Sequence, residues 1–216
     1  IELAVLKVLL SAVRSPAVLI RGDCLVDIVK SCYNVYLGGL NGTNQICAKA
    51  VLAQMMIIVF MRVEVDSMVV QFKSVVVGDL LEFSDRNLNE GSSIQFAQNF
   101  VNEAVQMFNE GRFSADSMQS AASTPPAEVA EHKKGDESPG SLSDYTKIRE
   151  DGLMLFKNLC KLSMKFSSQE QPDDEILLRG KTLSLELLKV IMDNAGSIWR
   201  TNERQENFIH LMNSHL

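Results

Sequence analysis

Apolar residues recur at helical spacing through most of the chain. Leu3 to Val13 predicts a short helix, stopped by Pro16, whose ring and missing N–H forbid continuation. Leu25, Ile28, Val29, Cys32, Val35 and Tyr36 make a wide apolar face on a second helix. Asp23 is placed to cap its start, and Gly38-Gly39 to end it in left-handed geometry. Thr43 or Asn44 caps a third helix carrying Ile46, Val51, Leu52, Met55, Met56 and Val59, so Gly38–Gly42 becomes the turn of an antiparallel hairpin. Val75-Val76-Val77 would suit a strand, but nothing obvious pairs with it, and Gly78-Asp79-Leu80-Leu81 suits a short helix; helix is the expectation for 64–91. Ser92 to Asn109 predicts a clearer helix, with Ile94, Phe96, Ala97, Phe100, Val101, Ala104, Val105 and Phe108 as its apolar set.

The pattern stops near Ser114. From there to Ser143 the chain is rich in Ser, Ala, Gly, Asp, Glu and Lys, with Pro125, Pro126 and Pro139 and hardly a large apolar residue, so it cannot bury enough surface to offset its ordering entropy. A disordered linker over 114–143 is the expectation. Beyond it Leu155, Leu159, Leu162 and Phe166 form a stripe, widened by Phe156 and Cys160. Pro172 and Asp173-Asp174 restart the chain, and Ile176, Leu183, Leu187 and Ile191 line another helix ending at Asn194-Ala195-Gly196. A last helix is expected from Thr201. The fold class expected is all-α: an armadillo-like α-solenoid of stacked helical hairpins, interrupted by the linker. The blocks are 1–113 and 144–204, with a separate tail at 205–216.

Composition narrows the function. A net charge of -6 argues against nucleic acid as a partner. Ala50 to Met61 is apolar except for Gln54, but Lys49 and Arg62 bound it well short of the roughly 20 residues a spanning helix needs. Cys24, Cys32, Cys47 and Cys160 lack paired spacing and sit in helix-like segments, which reads as reduced, buried thiols in a cytoplasmic protein. The chain opens on Ile1 with no charged-then-apolar leader, which reads as part of a longer protein.

No motif carries chemistry. Phosphate-cradling glycine loops, H-E-x-x-H and G-x-S-x-G are all missing, so no catalytic residue, cofactor site or metal site is assigned. His210 and His215 are spaced too poorly for a ligand pair on one helix. Asn41-Gly42-Thr43 fits a glycosylation sequon but serves better as a helix start, as does Arg21-Gly22-Asp23. Met55, Met56, Met61 and Met68 read as core rather than as a pliable groove. Asp173, Asp174 and Glu175 match the usual acidic start of a helix. Ser138, before Pro139 and among acidic residues, is a candidate phosphosite.

Three runs are distinctive: Gly22-Asp23-Cys24-Leu25, Cys32-Tyr33-Asn34-Val35-Tyr36-Leu37-Gly38-Gly39-Leu40-Asn41-Gly42-Thr43-Asn44-Gln45 and Ala48-Lys49-Ala50-Val51-Leu52-Ala53-Gln54-Met55-Met56. They resemble the DCB (dimerisation and cyclophilin-binding) domain of BIG-type Arf guanine-nucleotide exchange factors, especially those of plants. Lys147-Ile148-Arg149-Glu150-Asp151-Gly152, Leu155 to Lys165 and Leu185-Glu186-Leu187-Leu188 resemble the opening of the adjoining HUS (homology upstream of the catalytic domain) region. The resemblance implies a non-catalytic regulatory and dimerisation scaffold, peripheral on Golgi, trans-Golgi or endosomal membranes. The partners it implies are a second DCB block, the HUS region of the same or another chain, cyclophilin, and Arf GTPases through an exchange domain outside this sequence. The N-Y-D-C signature of the HUS region is absent, and Gln205-Glu206-Asn207 onward departs from the family pattern. A free-standing helical adaptor is the alternative, and a helical enzyme is disfavoured for want of convergent polar residues.

Residues 1–63 are net basic, since Lys7, Arg14, Arg21, Lys30, Lys49 and Arg62 outnumber Glu2, Asp23 and Asp27. The early helices carry more apolar surface than a two-helix hairpin buries. Surplus of this kind marks either the next repeat or a partner. The first block is therefore expected to self-associate or to pack on HUS helices. Tyr33, Tyr36 and Leu40 are the interface candidates, with core packing as the competing explanation for the same residues.

Overall fold

The computed structural model describes residues 1–39, 41–81, 91–119, 140–164, 175–194 and 196, with side chains for these apart from 107–119 and 140–146. Among the described residues the regular elements are all helices: α1 (Glu2–Arg14), α2 (Gly22–Gly38), α3 (Gly42–Val65), α4 (Val77–Leu80), α5 (Gly91–Gln119), α6 (Gly140–Ser163) and α7 (Glu175–Asp193). Helix α3 is the axis of the assembly and touches each of the other six. That role explains its composition. It is long and apolar enough to cross a membrane, yet most of it is buried inside the fold. Ile46, Leu52, Met55, Met56 and Ile58 are wholly buried there, so these methionines are core.

Helix α1 ends as Pro16 requires, with Ser15 extended. The expected caps are placed differently. Asn41, not Thr43 or Asn44, caps α3: its side chain accepts from the Thr43 and Asn44 N–H groups at 2.8 and 3.4 Å. Asp23 lies in the first turn of α2 but does not cap it, because a carboxylate from α6 takes that place. Gly39 ends α2 in extended geometry, φ -65° and ψ 127°, rather than the left-handed cap expected. Glycine is needed there for closeness: a Cβ would sit 2.6 Å from the Val35 carbonyl oxygen and 3.2 Å from Gln45 Cγ. At Gly38 a Cβ meets nothing. Gly39→Val is therefore expected to cost about 1–3 kcal/mol by thermal or urea unfolding, and Gly38→Ala to be neutral or slightly stabilising.

Residues 67–76 are neither helix nor strand. Two glutamines bind the backbone of this stretch. Gln54 Oε1 accepts from Val75 N–H at 2.8 Å and its amide donates to Lys73 O at 3.2 Å. Gln98 accepts from Val77 N–H at 2.8 Å and donates to Val75 O at 3.0 Å. The helix expected over 64–91 is thus confined to the end of α3 and to α4, with 82–90 outside the described residues. Helices α5 and α6 reach into both margins of the 114–143 segment, because no glycine or proline follows Gly111 until Pro125, and α6 starts directly after Pro139. The middle of that segment, the expected helix from Thr201, Leu40 and Ser138 lie outside the described residues.

Two apolar expectations fail. Phe96 is exposed because the buried line of α5 is Ala97, Val101, Ala104 and Val105, one residue off. Ile176 is exposed one turn before Gly180, where α7 begins its buried line of Gly180, Leu183, Leu187 and Ile191. Cysteine burial is also uneven: Cys32 and Cys47 are buried, Cys160 is half-buried and Cys24 is exposed. Burial pushes the Cys32 thiol up to about 12 and the Cys47 thiol up to about 11. A thiol-specific reagent near neutral pH is expected to modify Cys24 first and to reach Cys32 and Cys47 only after denaturant is added.

Candidate functional site

A set of polar contacts joins α2 and α3 to α6 and α7. Lys49 of α3 is buried, 2% exposed, and its Nζ lies 2.7 Å from Oε1 of Glu186 on α7. Two charges taken out of water this way persist only if each satisfies the other. Below them, the Tyr33 hydroxyl of α2 donates to the Gly180 carbonyl and lies 2.9 Å from Ser184 Oγ. Burial raises the Tyr33 phenol above its ordinary value, and the Ser184 bond partly opposes the rise. One turn on, the Arg179 guanidinium lies 5.2 Å from the Tyr36 ring centroid and donates to the Tyr36 carbonyl at 3.1 Å. Glycine at 180 is what lets α7 approach, since a Cβ there would come within 3.2 Å of the Tyr33 oxygen.

The other end of the seam is built on α6. Asp151 Oδ1 accepts from the Gly22 N–H at 2.8 Å and so caps α2 from a helix distant in sequence. Burial raises the Asp151 carboxyl, while the Gly22 N–H and the charges of Arg21 and Arg62 act to lower it. Arg62, 3% exposed, donates to the carbonyls of Arg14 at 2.9 Å and Met68 at 3.2 Å. Burial brings it down to about 10, helped by repulsion from Arg21 and opposed by Asp151. Arg149 of α6 binds Asp66, the left-handed C-cap of α3, with Nε to Oδ1 at 2.8 Å. Gly152 packs so closely that a Cβ would lie 2.7 Å from Val63 Cγ2.

Tyr33 and Tyr36, the interface candidates, thus lie inside the chain, 8% and 4% exposed, against α7. Tyr33→Phe is expected to cost only about 1 kcal/mol, because Ser184 Oγ still donates to Gly180 O at 2.9 Å. Lys49, Glu186, Asp151 and Arg149 were missed by sequence reading. The available signal was Lys49 itself, a cation among Cys47, Ala48, Ala50 and Val51 on a helix with no polar face. None of these contacts offers a nucleophile beside a base, or a carboxylate aimed into a cleft. Among the described residues, the arrangement holds two pairs of helices together.

The seam lies between the two stretches of chain that family models match. Residues 1–67 match the family model for the Mon2/Sec7/BIG1-like dimerisation and cyclophilin-binding domain, and residues 148–216 match that for the Mon2/Sec7/BIG1-like HUS domain. The second match runs through 205–216, so the tail set apart from its sequence falls within it. Brefeldin A-inhibited guanine nucleotide-exchange protein 1 of Arabidopsis thaliana is 59% identical over 97% of this chain and 12% of the relative. Protein 4 of the same organism is 52% identical over 100% of this chain and 13% of the relative. The ADP-ribosylation factor guanine nucleotide-exchange factor sec71 of Schizosaccharomyces pombe is 28% identical over 89% of this chain and 10% of its own length. No solved structure matches. The chain spans only 12–13% of the length of the two Arabidopsis relatives. It belongs to the BIG-type family of brefeldin A-inhibited Arf guanine nucleotide-exchange factors, of whose N-terminal part it holds the paired DCB and HUS regions.

Proposed function

We propose that this chain is a non-catalytic regulatory and dimerisation scaffold for nucleotide exchange on Arf GTPases in Golgi and trans-Golgi trafficking. The observation that carries the reading is the buried Lys49–Glu186 pair, reinforced by Tyr33 on Gly180. A DCB-type region locked to a HUS-type region by desolvated polar contacts is a preset framework, suited to positioning other parts of a protein rather than to bond making. In this reading the helical hairpins continue as an α-solenoid. Exchange belongs to a separate domain, and the scaffold docks peripherally on the membrane. Since Tyr33 and Tyr36 are engaged within the chain, self-association falls to exposed apolar residues of the first block, such as Val5 and Val8 on α1. Purified chain, mixed with an Arf GTPase carrying labelled GDP, is expected to leave release at its spontaneous rate. Sedimentation over a concentration series is expected to show a dimer that Val8→Asp weakens. Exchange that survives repurification, or a monomer at every concentration, would refute the corresponding half of the proposal.

A further inference from the structure

A cavity of about 460 Å³ opens along the seam between α2 and the α6–α7 pair. Val26, Val29 and Leu37 of α2 face Leu159 and Leu162 of α6 and Ile176 of α7 across it. Ile176 is 58% exposed, apolar surface that the described residues leave uncovered at the groove mouth. Among the described residues the rim is cationic. Lys30, Lys161 and Lys181 line it and no described carboxylate does, in a chain whose net charge is -6. Lys30 keeps an exposed pair with Asp27 at 3.3 Å, which solvent screens. Lys161 is exposed on α6.

We infer that this groove binds an acidic amphipathic helix of a partner protein. Three features select that occupant. From Val26 to Leu37 the α2 wall runs about 16 Å, the length of three helical turns. An apolar floor takes a row of Leu or Phe anchors at i, i+4 and i+7. The exposed Lys30 of α2 and Lys161 of α6 then meet carboxylates flanking that row, which sets orientation and rejects basic helices. The occupant touches α2 from the DCB-matched region and α6–α7 from the HUS-matched region together. It therefore binds the docked arrangement and stabilises it by mass action.

The test uses the whole 216-residue chain and two synthetic helical peptides of about 14 residues, one with Leu anchors flanked by Glu and one with every Glu replaced by Lys. Fluorescence anisotropy is expected to show binding of the acidic peptide alone, weakening as salt rises from about 0.05 to about 0.5 M. Lys30→Glu/Lys161→Glu should weaken it by at least about tenfold. Both lysines are exposed, so the double variant should keep the parent melting curve; if it does not fold, Lys161→Gln with the salt series carries the same comparison. Saturating acidic peptide should also raise the melting temperature of the parent chain. Equal binding of both peptides, or binding of neither, overturns the inference. So does capture by anionic phospholipid vesicles with no peptide binding, which would make the rim a lipid contact.

Discussion

Lys49→Met is expected to destabilise the folded chain by about 3–5 kcal/mol, the typical cost of removing one partner from a buried ion pair. The mechanism is not loss of attraction alone. Glu186, with a side chain only 10% exposed, would keep its charge in the seam without the cation 2.7 Å away. Replacing both partners, as Lys49→Met/Glu186→Leu, removes the stranded charge and should restore most of the loss. An exposed pair provides the contrast. Lys7 and Glu103 also lie 2.6 Å apart, but at 31% and 60% side-chain exposure, and Lys7→Met should cost less than about 1 kcal/mol. Urea midpoints at unchanged slope measure all of these. A Lys49→Met chain as stable as the parent would mean that the pair is not buried in solution.

The second large effect is expected at Gly152. Helix α6 crosses α3 where a Cβ at this position would lie 2.7 Å from Val63 Cγ2 and 3.8 Å from Phe60 Cε1. Both neighbours are buried core residues, 2% and 6% exposed, so neither swings away freely. Gly152→Val should therefore cost about 3 kcal/mol or separate α6 from α3, and Gly152→Ala should cost less. A separated seam gives its own signature. Amides of α6 and α7 would lose hydrogen-exchange protection while those of α1 to α3 kept theirs. No change in stability or exchange for Gly152→Val would show that the two helices do not meet as described.

The sequence made the helices legible because their apolar faces are periodic, and it made the family legible because long runs such as Cys32 to Gln45 carry it. It could not reveal what ties the helices together. Lys49 read as a bounding charge because nothing local shows that Glu186, 137 residues on, lies opposite. Asp23 was a reasonable cap for α2 on local grounds, but Asp151 holds Gly22 from 129 residues away. Tyr33 and Tyr36 stood out in the sequence as interface candidates, while their surroundings, Gly180, Ser184 and Arg179, were not deducible from spacing. The groove beside them was equally hidden, since its walls come from three helices and its lysines fall on ordinary solvated faces.

The central claim is that the DCB-matched and HUS-matched regions are one docked unit, and cleaving the chain between them tests it most directly. A specific protease site placed within 120–139 cuts the covalent link while leaving every described contact untouched. The cut chain is expected to elute from a sizing column as one species containing both fragments, and to melt in a single transition. Glu186→Ala, which strands Lys49, should release the two fragments from one another. Separation of the fragments in the parent chain immediately after cleavage, each melting independently, would contradict the account.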